Sequence, residues 1–91
     1  MEYRISFRAL NTSDINVECP FLPEIDEFEM SFEAMIEDIK GFAGIKAVSA
    51  HEGNSLFITA PDIDLQTLKE KLKPHLQQHF QRLRIAVIET L

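Results

Sequence analysis

The sequence predicts an α+β fold, with two helices laid over one face of a small antiparallel sheet. Three observations carry that expectation. Residues 3–10 alternate apolar and polar with period two, as a half-buried strand does. Residues 40–61, KGFAGIKAVSAHEGNSLFITAP, read as a helix end, a strand, a tight turn and a second strand. On each side of that hairpin lies a stretch of apolar residues at three- and four-residue spacing, the pattern of an amphipathic helix.

Length and composition bound the rest. A chain of 91 residues can bury one modest core but not two, so one domain spanning residues 1–91 is expected. No apolar run approaches the ~20 residues that a membrane helix requires. The opening residues, MEYRISFRAL, carry charge where a signal peptide would be apolar, and a cytoplasmic location is expected. The single cysteine, Cys19, excludes a disulfide within the chain and fits a reducing compartment. A net charge of −6 makes nucleic acid and anionic membrane poor partners for the molecule as a whole.

Taken in order, Tyr3, Ile5, Phe7 and Ala9 share one face of the first strand, with Arg4, Ser6 and Arg8 opposite. Asn11-Thr12-Ser13-Asp14 is a turn by composition. Ile15, Val17, Cys19 and Phe21 alternate again, which predicts an extra N-terminal strand over residues 15–21, placed at a sheet edge by Pro20. The first helix covers residues 25–40, through Phe28, Phe32, Met35, Ile36 and Ile39. It is well established by Ser31, but its first turn is open, and the alternation of Phe28, Met30 and Phe32 permits a short extended piece before it. Asp26 caps it with Glu29 completing a capping box and Ile25 stapled to Met30, or Ser31 caps it with Met30 stapled to Met35.

Gly41 and Gly44 follow that helix, where a glycine commonly supplies the left-handed cap. Residues 45–50 are the next strand, His51-Glu52-Gly53-Asn54 the turn, and residues 55–60 the strand after it, closed by Pro61. There Leu56, Ile58 and Ala60 point one way, Phe57 and Thr59 the other. The second helix opens at Asp64 as N-cap, with Ile63 and Leu68 in the staple positions. Its stripe is Leu65, Leu68, Leu72, Leu76 and Phe80, and Pro74 within it predicts a kink or a break near Lys73. Residues 82–90 form the last strand, with Leu83, Ile85 and Val87 inward and Arg84 and Ala86 outward. Apart from the extra edge strand, the order is β-α-β-β-α-β. It resembles the split βαβ arrangement of ferredoxin-like two-layer sandwiches, in which both helices cover one face and the outermost strands of the sequence lie side by side. Many unrelated functions share that architecture.

Several of them need residues this chain lacks. A soft-metal carrier needs more thiols than Cys19. An anion loop ahead of the first helix needs glycine, whereas residues 20–30 have none and carry four carboxylates. The aromatic, glycine-bearing strand of RNA-recognition domains is absent from residues 55–60. His75 and His79 are one helical turn apart, yet no carboxylate lies near them in sequence, so a solvated helix face is the expectation and no metal or other cofactor is assigned. Activation of Cys19 would need a cation or a helix N-terminus, and Glu18 and Glu24 supply neither. It reads as a small buried apolar residue.

The acidic residues of the first helix, Glu33 and Glu37 among them, form a solvated face or a docking surface. All four arginines, Arg4, Arg8, Arg82 and Arg84, fall on the first and last strands, directed away from the apolar positions. Adjacent strands would gather them on the open sheet face as a site for carboxylate or phosphate. Pairing with Glu2, Glu18 and Glu89 would instead cancel their field. With no nucleophile–base pair, paired acids or phosphate loop, the expected function is a non-catalytic interaction or regulatory module acting through its sheet face or a strand edge. Its expected partner is a protein, or a second copy in a homodimer. The alternative is a dimeric sensor of a small anionic ligand held near the arginines.

Overall fold

The alternation of residues 3–10 becomes strand β1 (Glu2–Ala9), and its inward set Tyr3, Ile5 and Phe7 is fully buried. The computed structural model describes residues 1–91. After β1 come a 3-10 turn (Thr12–Asp14), helix α1 (Ile25–Lys40), strands β2 (Ala47–His51) and β3 (Ser55–Thr59), helix α2 (Leu65–Gln78) and strand β4 (Leu83–Thr90). The strands form one antiparallel sheet in the order β2-β3-β1-β4. This is the ferredoxin-like two-layer sandwich, with β1 and β4 adjacent. Thirteen buried residues make its core, where Phe28, Met35 and Ile39 of α1 and Leu68 and Leu72 of α2 meet the inner face of the sheet. Phe32 sets its ring edge-on to Phe7 at 5.7 Å and parallel to Phe28 at 6.1 Å, joining helix to strand.

Local chemistry explains where the elements begin and end. Glu27 Oε1 accepts from the Glu24 N–H at 3.0 Å, so α1 is capped earlier than at either Asp26 or Ser31. Ile25 and Met30 are 75% and 66% exposed, and so form no staple. Gly41 remains right-handed, and the left-handed residue is Gly44, at φ +89°. A Cβ at Gly44 would stand 2.9 Å from Ile63 Cδ1. The β2–β3 turn uses Gly53 and Asn54, at φ +74° and +58°. Asp64 Oδ1 caps α2 by accepting from the Thr67 N–H at 2.7 Å, with Ile63 and Leu68 both buried beneath.

The structure corrects further expectations, beginning with the break offered near Lys73. Pro74 does not end α2, which runs unbroken to Gln78. Pro74 and Glu70 are both exposed, so water can satisfy the Glu70 carbonyl that the proline cannot bond.

Residues 15–21 add no strand. Val17 and Phe21 are 97% and 81% exposed, and of the alternating set only Cys19 is buried. Asn16 is the cause. Its side-chain oxygen accepts from the N–H groups of Glu18 and Cys19 at 2.8 and 2.9 Å, and its own N–H donates to the Cys19 carbonyl. The backbone is thereby satisfied locally instead of along a sheet edge.

In β4 the alternation breaks at Ala86. The register against β1 shifts between Ser6 and Phe7, leaving Ala86 unpaired between Val87, opposite Ser6, and Ile85, opposite Phe7. Val87 therefore faces out and Ile88 faces the core, the reverse of strict alternation.

Candidate functional site

Arg4 stands opposite Glu89 in the β1–β4 register, Nε to Oε1 at 2.8 Å, an ion pair that lacks aligned hydrogen-bond geometry. Arg8 stands opposite Arg84, and the like charges are relieved by Asp14. Asp14 receives two hydrogen bonds from Arg8, at 2.7 and 3.3 Å, and one from the Asn11 N–H at 2.9 Å. Those contacts hold its carboxyl at about 2, well below the ordinary carboxylate value. Arg82 lies just ahead of β4 and reaches Glu27 on α1 at 3.7 Å. Arg84 alone has no carboxylate partner. Its guanidinium donates to the carbonyls of Phe80 and Leu83 and to Cys19 Sγ, and lies 5.8 Å from the centre of the Phe80 ring. The register thus brings Arg8 and Arg84 together, while Arg4 and Arg82 are each taken up by a glutamate.

The histidines separate as well. His75 Nδ1 meets Asp38 Oδ2 at 2.9 Å, with the Phe42 ring 5.1 Å away. The carboxylate that sequence proximity does not supply comes from the neighbouring helix. Cys19 is buried, but in an irregular segment packed against the start of β4, where the Gln81 side chain also donates to the Glu18 carbonyl.

The sheet order leaves two edges, β2 and β4, and they are built differently. An open edge presents unpaired backbone N–H and C=O groups to any incoming strand. On β4 that hazard is blunted by the bulge at Ala86, by Arg84 and Glu89, and by residues 18–19 lying against its start. On β2, AVSAH, none of those devices is present: no proline, no bulge and no carboxylate, lysine or arginine. Its register against β3 is continuous from Ala47, opposite Thr59, to His51, opposite Ser55.

Val48 and Ala50 of β2 face the helix layer, yet Val48 is only half-buried and Ala50 is exposed. Helix α1 stands back from them, leaving a groove of about 380 Å³ between itself and the edge. Glu33, Ile36, Glu37 and Lys40 form its wall, at the i, i+3, i+4 and i+7 spacing of one helix stripe. Ile36, Val48 and Ala50 are apolar, and the two glutamates are exposed. The sequence places Glu33 and Glu37 on one helix face. That this face overlooks an open strand edge depends on the strand order. No protein-family model, no curated protein and no solved structure matches this chain.

Proposed function

We propose that the protein is a non-catalytic, cytoplasmic interaction module that receives an extended segment of a partner protein along the edge of β2. Strand addition supplies affinity through main-chain hydrogen bonds and specificity through alternate side chains. The observation that carries this reading is the contrast between the edges: β4 is protected, while β2 is bare and flanked by a groove. Natural proteins protect edges against unwanted pairing, so a bare edge beside a groove marks the place where pairing is useful. A sensor built on the four arginines has less support, because Arg4, Arg8 and Arg82 each already face a carboxylate. No helix is long and apolar enough to cross a membrane, and the lone Cys19 suits a reducing compartment.

The test is selection of unbiased peptides against the purified protein, followed by amide shift mapping of the bound state. Shifts concentrated in residues 46–51 and 33–40 are expected. Selected peptides that instead perturb β4 or the open sheet face would refute the strand-edge reading.

A further inference from the structure

We propose that the segment seated at the β2 edge carries lysine or arginine at alternating positions, with uncharged side chains between them. This rests on the strand-edge reading and adds the chemistry of the partner. A strand added beside β2 points every second side chain toward the helix layer, into the groove beside Val48 and Ala50. Those side chains first cross apolar surface, made by Val48, Ala50 and Ile36, and then reach the carboxylates of Glu33 and Glu37. A purely aliphatic residue would satisfy the first surface and leave the second unused. A short polar residue would do the reverse. Lysine and arginine satisfy both, because their methylene stems lie on apolar surface while the charged head stays at the wet rim.

Charge also argues against a second copy of this chain as occupant. Two molecules paired β2 to β2 would bring their Glu33 and Glu37 stripes toward one another, and each molecule carries a net charge of −6. The occupant on the other face of the added strand meets Ser49 and His51, a small polar surface that asks for no charge. Lys40 closes one end of the stripe, with its Nζ 3.6 Å from Glu37, so cations are favoured at two successive inward positions and not along the whole groove.

The experiment uses the full chain and three synthetic peptides of equal length on one alternating threonine–valine background. Their alternate positions carry lysine, glutamine or glutamate. Affinities are measured for the native protein and for E33Q/E37Q, with amide shifts recorded for each complex. The lysine peptide should bind about tenfold more tightly than the glutamine peptide, as two exposed ion pairs allow. That advantage should disappear in E33Q/E37Q and shrink as salt rises toward ~0.5 M. The glutamate peptide should bind least. Equal affinity of the lysine and glutamine peptides, with shifts still at residues 46–51, overturns the basic preference and leaves the strand-edge reading standing. Absence of shifts at residues 46–51 with every peptide overturns both. A lysine advantage that survives E33Q/E37Q places the cations elsewhere on the acidic surface and overturns the proposal. Concentration-dependent self-association abolished by Val48→Lys would assign the edge to a second copy instead.

Discussion

Asp38 and His75 lie 37 residues apart in sequence and meet through one 2.9 Å contact that ties α1 to α2. Both side chains are about one-third exposed, which sets the scale of what the contact contributes. Partly exposed pairs of this kind are worth about 0.2–1 kcal/mol. A double-mutant cycle of Asp38→Asn and His75→Gln, read by denaturant unfolding, should return a coupling within that range. Coupling indistinguishable from zero would mean that the helices are held by Phe42 and the core alone.

The Arg8–Asp14 contact makes stability depend on pH in a fixed direction. The Asp14 carboxyl is held at about 2 in the folded chain, below its ordinary value of 3.8. Between those values the unfolded chain binds the proton more readily, so acid favours unfolding. The contribution is complete above the ordinary value and lost as pH falls through the window from about 4 to about 2. Asp14→Asn should therefore flatten the acid limb of the stability profile in that window and leave the slope near neutrality alone. Thermal melts of the two proteins across the acid range measure it.

Ser31 is buried on α1, and its hydroxyl has no hydrogen-bond partner. Such a group costs about 1–3 kcal/mol of desolvation. Ser31→Ala should accordingly be neutral or stabilising, whereas Leu72→Ala, in the same core, should cost about 2–5 kcal/mol. Urea denaturation that shows Ser31→Ala destabilising by more than ~1 kcal/mol would reveal an unseen partner for the hydroxyl.

Gly44 combines a left-handed backbone with a neighbour that a methyl group would touch. Gly44→Ala should destabilise by about 1 kcal/mol or more, from positive φ together with crowding at Ile63 Cδ1. Gly53 is also left-handed, but nothing lies within 4 Å of its Cβ position. Gly53→Ala should therefore cost less, and paired unfolding curves will rank the two.

Legibility from sequence followed the range of the interactions concerned. The α1 stripe, the Asp64 cap, the Gly53-Asn54 turn and the two faces of β3 rest on spacings of a few residues, and the structure has each of them. The alternation at Ile15, Val17, Cys19 and Phe21 misled because Asn16 closes its own turn, and a side-chain hydrogen bond leaves no trace in hydrophobic period. In β4 one unpaired residue, Ala86, reversed the facing of Val87 and Ile88, and a bulge cannot be placed without its partner strand. The meeting of Asp38 with His75, and of the Glu33–Glu37 stripe with β2, needs the packed arrangement of helices and strands.

The pairing of Tyr3 with Thr90, continued by the Leu91 N–H to the Glu2 carbonyl at 2.8 Å, has a mechanical consequence. Residues 1 and 91 leave the sheet side by side from neighbouring antiparallel strands. Tension applied between them loads the β1–β4 seam as a zipper and not in shear, so its rungs fail one after another. Such a seam yields at low force, since at no moment do many hydrogen bonds share the load. β2 stands at the far side of the sheet, with β3 and β1 between it and β4. A segment seated on β2 would thus stay bound while β4 is being peeled away.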